Sequence, residues 1–208
     1  MRWMTNRPFH HSRLRRAATG YAERGWPVTP GAVLCGTRFQ CGRAGCLVAT
    51  CHPATERWED AASHDPATVA SRWRHAPWAV LLPTGRAFDA IEVPAALGML
   101  AAGQPQPGPA RGPVVVRPGG RWLFLVRPGH PLRPELDGRL DVLRHGRGSW
   151  VPAPPTRLPE GPVRWEVSPE QAGWRLPGSY AVQQALVEML TETRTPQVRA
   201  ALIAAPAT

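Results

Sequence analysis

The residues best suited to metal chemistry are four cysteines and one histidine that fall within a single stretch of the chain. Cys35, Cys41, Cys46 and Cys51 are followed directly by His52, which gives the pattern Cys-x5-Cys-x4-Cys-x4-Cys-His. Thiolate and imidazole are the ligands of tetrahedral structural Zn²⁺. A metal ion would also stabilise a glycine-rich loop that has little apolar surface to bury. We therefore predict a structural zinc site with Cys41, Cys46 and His52 as ligands. Cys35 or Cys51 is expected to be the fourth ligand.

Two other states of these cysteines fit the same sequence. No close Cys-x2-Cys pair is present, and five candidate ligands compete for the four positions of a tetrahedral ion. The cysteines could instead be reduced thiols without a ligand, or two of them could form a redox disulfide. The first sixteen residues contain no continuous apolar segment of the kind found in a secretory signal. We therefore expect a cytoplasmic location, where structural disulfides are uncommon.

The charge of the chain favours an anionic partner. Its formal net charge is +10, and all 25 of its cationic residues are arginine. Guanidinium groups bind phosphate in a bidentate manner, and a positive surface attracts polyanions. Nucleic acid, with DNA favoured, or free nucleotides are thus the expected partners, although a GC-rich genome would also enrich arginine. No apolar run reaches the ~18 residues of a membrane span, so no membrane partner is expected.

Hydrophobic periodicity predicts helices and strands in an order typical of an α+β protein. We expect helices over about 12–24, 65–75, 94–102 and 179–193, with a last helical segment over 196–204. Predicted strands cover 26–29, 78–82, 90–93, 114–116, 122–126, 140–143, 149–153 and 163–167, and a surface loop covers 103–112. Asp65 followed by Pro66 is a strong helix start. A chain of 208 residues suits one main domain.

Four stretches of the sequence resemble the N-terminal domain of bifunctional DNA primase-polymerases, the Prim-Pol family related to archaeo-eukaryotic primases. Residues 17–30 resemble its opening helix and strand, and residues 58–92 resemble its middle section, including a TGR turn. Residues 117–125 (RPGGRWLFL) are similar to its "SGG-x-H-x-x-F" hairpin, and residues 148–155 (GSWVPAPP) to its "GGYVVAPPS" strand. These stretches occur in the family's order over about residues 13–167.

The resemblance implies a Prim-Pol fold, with a mixed or antiparallel sheet, flanking helices and a Cys-rich loop at 31–53. The implied boundaries are a flexible N-terminus over 1–12, a Prim-Pol-like domain over 13–170 and a C-terminal helical segment over 171–208. Family members use two or three carboxylates to hold the divalent ions of nucleotidyl transfer. Glu92 stands at the first of these acidic positions, but Pro94 stands at the second. Asp89 lies three residues from Glu92, on the opposite face of a strand.

Two further positions of the family's active site are also changed. Trp122 replaces the hairpin histidine that contacts the incoming nucleotide in the family. Leu143 stands at the late acidic position, and Asp141 is displaced from it by two residues. With Glu92, Asp89 and Asp141 as a degenerate catalytic set, we predict that nucleotidyl transfer is absent or very weak. Mg²⁺ or Mn²⁺ is expected as a cofactor only if catalysis is retained.

Four arginines at the motif positions could still bind phosphate, namely Arg86, Arg117, Arg121 and Arg147. The alternative is that they are solvated loop charges. We therefore predict an accessory protein that binds nucleic acid or nucleotides and acts with a replication protein in trans. One alternative is an active primase or polymerase that uses Glu92 with displaced acids. The other is a protein-interaction module that keeps the fold without binding nucleic acid.

Overall fold

The structure, a computed structural model of the chain, describes residues 8–103 and 112–192. Its helices are α1 (Pro8–Glu23), α2 (Trp58–Ala61), α3 (Pro66–His75), α4 (Ala95–Gly103), α5 (Pro134–Asp137) and α6 (Ser179–Glu192). Its strands are β1 (Thr29–Gly31), β2 (Val33–Cys35), β3 (Arg38–Gln40), β4 (Ala79–Pro83), β5 (Asp89–Pro94), β6 (Val114–Arg117), β7 (Arg121–Val126), β8 (Leu143–His145), β9 (Trp150–Pro152), β10 (Arg157–Leu158), β11 (Gly161–Pro162) and β12 (Arg164–Val167). The predicted α+β class is confirmed.

Helix α3 begins as the sequence predicts. The side chain of Asp65 accepts a hydrogen bond from the backbone N–H of Thr68 at 2.8 Å, and Pro66 occupies the first helical position. This cap satisfies a backbone donor that has no partner within the helix. Val69 and Trp73 lie four residues apart on one face, and both are fully buried. The helix therefore packs that face into the core.

Two antiparallel sheets form the frame of the molecule. One has three strands in the order β1-β4-β9, and the other has five in the order β12-β6-β7-β5-β8. The chain passes from the first sheet to the second between β4 and β5, and it returns between β8 and β9. These two crossings lie side by side, because a Cβ added at Gly85 would come within 2.4 Å of the Arg147 backbone.

Both faces of the five-stranded sheet are covered by other parts of the protein. Side chains alternate along β5, so Ala90 and Ile91 point to opposite faces. Ala90 belongs to a core cluster with α1, α3 and the three-stranded sheet. Ile91 belongs to a second cluster with α4 and α6. Glu92 therefore shares the face of Ala90, and Asp89 shares the face of Ile91.

Several elements differ from the sequence prediction. Helix α1 begins at Pro8, four residues before the predicted start, and the cysteine loop contains the β2–β3 hairpin. Strand β8 begins at Leu143, where the prediction placed a strand end. The short elements α2, α5, β10 and β11 were not predicted, since two to four residues are too few to show a hydrophobic period. The helix predicted over 196–204 lies outside the described residues, as does most of the predicted loop over 103–112. None of the helices in the described ranges is long and apolar enough to cross a bilayer.

Candidate functional site

Glu92 lies in the middle of three neighbouring strands. In the register of the sheet it pairs with Leu123 of β7 on one side and with Leu143 of β8 on the other. Residues two positions away share its face, because side chains alternate along a strand. On β7 the residue that shares this face is Arg121, which pairs with Pro94, and on β8 it is His145, which pairs with Ala90. The sheet therefore directs a carboxylate, a guanidinium and an imidazole to one place.

The carboxylate of Glu92 is held by three cationic or hydrogen-donating groups. Arg121 Nε donates to Oε1 at 2.7 Å, and His145 Nε2 donates to Oε2 at 2.7 Å. Arg117 Nη1 approaches Oε2 at 3.4 Å. We call these four residues the Glu92 cluster. Burial raises the pKa of Glu92, but the hydrogen bonds from His145 and Arg121 outweigh it and hold this pKa at about 2. The acid is therefore ionised and fully paired.

His145 has one partner on each ring nitrogen. A carboxylate can only accept hydrogen bonds, so the proton on this side lies on Nε2. Nδ1 faces the hydroxyl of Ser149 at 2.8 Å. His145 was not predicted from the sequence as a site residue. The signal was present, because it lies two residues after Leu143 and so shares that residue's face of the strand.

The residues around Glu92 do not fit the divalent ions that Prim-Pol chemistry uses. Both oxygens of the Glu92 carboxylate are already engaged by cluster residues. The carboxylate of Asp141 is bound by Arg139 at 2.7 and 2.9 Å, and only its backbone carbonyl accepts from Arg121. A two-metal site needs at least two carboxylates with oxygens turned toward one space, and the described residues supply one, already paired.

Asp89 has a different environment on the other face of the sheet. Its Oδ2 accepts from Arg144 at 2.9 Å and from the backbone N–H of Gly129 at 3.1 Å. The residue is 1% exposed. These bonds join the start of β5 to β8 and to the segment that follows β7. Asp89 thus stabilises the edge of the sheet and is not part of the Glu92 cluster.

Trp122 also points away from Glu92. Its strand is the neighbour of β5, but its side chain lies on the α4 side of the sheet and is buried. A Cβ added at Gly98 of α4 would lie 2.5 Å from the Trp122 ring, so the helix and the indole are in close contact. Strands β5, β7 and β8 are therefore adjacent as the sequence implied, yet Trp122 is a core residue in this protein.

The four predicted phosphate-binding arginines fall into two pairs. Arg117 and Arg121 are engaged with Glu92. Arg86 and Arg147 are exposed on the two adjacent crossings between the sheets, where neither has an ion-pair partner among the described residues. The second pair is consequently the one with free guanidinium groups.

A second site lies in the cysteine loop. The ligand atoms of Cys41, Cys46 and His52 lie within 4.8 Å of one another, the only such group of three or more found in residues 8–103 and 112–192. His52 Nδ1 donates to the backbone carbonyl of Thr50 at 2.7 Å, which leaves the Nε2 lone pair facing Cys46 Sγ at 3.6 Å. A ring nitrogen oriented by a backbone carbonyl is the usual arrangement for a histidine ligand. These three residues could hold a metal ion.

The charge around this group favours thiolates. Arg43 donates to Cys41 Sγ at 3.4 Å and to Cys46 Sγ at 3.6 Å. Burial raises the pKa of the Cys41 thiol, but the interactions with His52 and Arg43 outweigh it and lower this pKa to about 6. A thiolate is the form that binds metal.

The other two cysteines lie outside this group. Cys35 ends strand β2, and burial raises the pKa of its thiol. Burial also raises the pKa of Cys51 to about 12, with a small opposing effect from the charge of Arg117.

The pairing of Glu92 predicts how stability depends on pH. A carboxyl group with a folded pKa near 2 and an ordinary value of 4.5 stabilises the fold above about pH 4.5, and this contribution is lost as pH falls toward 2. We expect that the Glu92→Gln variant does not show this loss of stability as pH falls from 4.5 toward 2. At neutral pH it should lower the free energy of unfolding by about 1–3 kcal/mol, because Arg117 and Arg121 lose their partner while remaining partly solvated. Denaturant unfolding between pH 2 and 7 measures both effects.

The matched control is Glu160→Gln, because Glu160 is exposed and has no ion pair among the described residues. The Glu160→Gln variant should show the same slope of unfolding free energy against pH as the wild type below pH 4.5. Equal pH slopes for the wild type and Glu92→Gln would contradict the pairing.

Comparison with known proteins agrees with the architecture and the motif positions. The family model described as "Bifunctional DNA primase/polymerase, N-terminal" matches residues 18–179. A search of curated proteins and a search of solved structures each found no significant match. The matched range includes both sheets, the cysteine loop and every residue of the Glu92 cluster. The chain therefore belongs to the Prim-Pol family of bifunctional DNA primase/polymerase N-terminal domains.

Proposed function

We propose that this Prim-Pol domain is an accessory protein of replication that binds nucleic acid or nucleotides and catalyses little or no nucleotidyl transfer. The observation that carries the proposal is the pairing of the Glu92 carboxylate with Arg121, His145 and Arg117. In an active family member, an acid at this position would ligate a divalent ion. Here protein cations already neutralise it.

An arginine cannot replace the whole role of such an ion. A guanidinium group neutralises a carboxylate and can bind phosphate oxygens. It has no open coordination position at which a 3′-oxygen could bind and lose its proton, which is what a catalytic metal provides. A metal would also have to displace Arg121 and His145 from a carboxylate that is 6% exposed. Both considerations favour a site that attracts phosphate electrostatically and lacks the groups needed for nucleotidyl transfer.

Binding is supported by the two exposed arginines on the crossings between the sheets. Arg86 and Arg147 lie on turns whose backbones touch, so their side chains start from neighbouring points of the surface. The chain as a whole carries a net charge of +10. Phosphate groups of a strand or a nucleotide are the natural partners of such a pair. DNA is the favoured polymer because the family's members act on it.

We further propose that the cysteine loop holds a structural Zn²⁺. Cys41, Cys46 and His52 supply three ligands of the types and tautomer that zinc requires. Either Cys35 or Cys51 completes the site after a small movement of the loop. The ion would anchor a segment that is otherwise tied to β1 by few bonds, among them Ala54 N–H to Pro30 O at 2.8 Å. Reduced cysteines fit the expected cytoplasmic location.

The function is tested by separating transfer from binding in one set of reactions. With a primed template, nucleotides and Mg²⁺ or Mn²⁺, the wild-type protein should give no template-dependent product above background. The same labelled DNA should bind in an anisotropy assay, with affinity that falls as salt rises, because phosphate contacts release counterions. Robust product that Glu92→Gln abolishes would establish an active polymerase instead. Absence of any binding would favour a protein-interaction module.

The binding part has its own matched variants. Arg86→Gln/Arg147→Gln should weaken DNA binding about tenfold, in line with two lost charge-assisted contacts. Arg157→Gln/Arg175→Gln removes the same charge from exposed positions elsewhere and should have a much smaller effect. Equal losses in the two double variants would show that net charge alone governs binding and would contradict a role for the crossings.

The zinc proposal predicts about one equivalent of zinc in protein purified without added metal. Cys41→Ser and His52→Ala should each lose the metal and lower the melting temperature, and a chelator should lower the wild-type value in the same way. Cys35→Ser and Cys51→Ser identify the fourth ligand, because only the true ligand should reduce the zinc content. Less than about half an equivalent of zinc, together with a chelator-insensitive melting temperature, would rule the site out.

A further inference from the structure

A groove runs between helices α1 and α3 on the outside of the protein. Its volume is about 670 Å³. One wall is formed by two rows of α1 residues, with His11, Arg15 and Thr19 in the first row and Arg16 in the second. The other wall carries Arg74 of α3. Residues four apart on a helix lie one above the other, so each row follows the length of the groove.

The cations of this groove have no acidic partner. Arg15, Arg16 and Arg74 are exposed, and none forms an ion pair with any of the described residues. By contrast, Arg121 is paired with a buried carboxylate in the sheet. Glu23 is the single acidic residue that lines the groove, and it lies at the end where α1 finishes. The groove therefore concentrates uncompensated positive charge on its two walls.

The apolar surface of the protein lies elsewhere. The large apolar side chains that are exposed in the described ranges are Leu47, Val48, Met99, Leu140, Leu143 and Tyr180, and none of them lines this groove. A membrane-binding helix needs apolar side chains beside its cationic ones. Of the apolar side chains that line the groove, Trp73 is fully buried and Ala70 is small. The groove thus presents no large exposed apolar side chain, and its composition suits a hydrated polyanion and not a lipid surface.

We propose that the groove between α1 and α3 binds the sugar-phosphate backbone of a single nucleic-acid strand, as a contact surface separate from the Glu92 cluster and from Arg86 and Arg147. This inference rests on the proposed nucleic-acid function. Guanidinium groups on both walls of a groove can contact the phosphates of a strand that lies in it and leave the bases free, as in single-strand binding without sequence preference. The groove arginines Arg15, Arg16 and Arg74 are not among the hydrogen-bond partners of Glu92.

The test compares two triple variants that lose the same charge. Arg15→Gln/Arg16→Gln/Arg74→Gln removes the cations of the groove, and Arg157→Gln/Arg164→Gln/Arg175→Gln removes three exposed cations outside it. The probes are labelled single-stranded DNA and RNA of about 20 nucleotides. Their binding is measured by fluorescence anisotropy over a range of salt concentrations. The groove variant should bind at least about tenfold more weakly, and its log–log salt slope should fall by about 2, since three phosphate contacts contribute roughly 0.7 each.

A second substitution tests the same surface by gain of affinity. Glu23→Gln removes the acidic residue at the end of the groove and should tighten binding by about two- to threefold, as the loss of one nearby repulsion predicts. Glu166→Gln, at an exposed position on β12 outside the groove, should leave the affinity unchanged. All of the altered side chains are exposed, so melting curves should match the wild type and exclude unfolding as the cause.

The outcomes separate this inference from the proposed function. If the wild type binds and the two triple variants lose affinity equally, the groove is not a binding surface, while the function and the role of Arg86 and Arg147 stand. If the wild type binds no oligonucleotide at any salt concentration, both proposals fail. Stronger, groove-dependent binding to anionic phospholipid vesicles than to oligonucleotides would also overturn the inference.

Discussion

The site depends on one interaction, the pairing of a buried carboxylate with two guanidinium groups and one imidazole from three other strands. Glu92 of β5 meets Arg117 at the end of β6, Arg121 at the start of β7 and His145 at the end of β8. An ionised carboxylate that is nearly buried is costly unless it is paired and hydrogen-bonded. Because each partner comes from a different strand, the contacts that neutralise Glu92 also fix the relative register of β6, β7, β5 and β8. The Glu92 carboxylate therefore helps to hold the five-stranded sheet together.

The pairing of Glu92 with protein side chains also affects what the surface can bind. Fixed guanidinium groups give a positive field around Glu92 without providing coordination sites for a reacting oxygen. The unpaired cations lie farther out, on the crossings at Arg86 and Arg147 and in the groove between α1 and α3. The charge of Arg117 acts on the Cys51 thiol and lowers its pKa slightly against the effect of burial. The three residues that could hold a metal ion are nevertheless separate from the Glu92 cluster.

Sequence reasoning recovered the elements whose signals are local. The Asp65 cap, the buried pair Val69 and Trp73, and the strand around Glu92 follow from capping chemistry and apolar runs. It did not identify His145, because a three-residue edge strand shows no period of its own and its pairing depends on β5. Trp122 was assigned to a motif position from the resemblance, and only the register of the sheet and the close approach of Gly98 show that its ring faces α4. The ligand group Cys41, Cys46 and His52 was anticipated from residue types, whereas the positions of Cys35 and Cys51 depend on how the loop folds back on β1.

The central claim is that protein cations, and not divalent ions, neutralise Glu92. Titration of the zinc-loaded protein with Mn²⁺, followed by electron paramagnetic resonance of the free ion, tests it most directly. The account predicts that the signal of free Mn²⁺ increases with added Mn²⁺ as it does in buffer without protein. This should hold over the whole range of Mn²⁺ concentrations in which active two-metal enzymes bind the ion. Stoichiometric binding of Mn²⁺ that is retained in Glu160→Gln and lost in Glu92→Gln would contradict it.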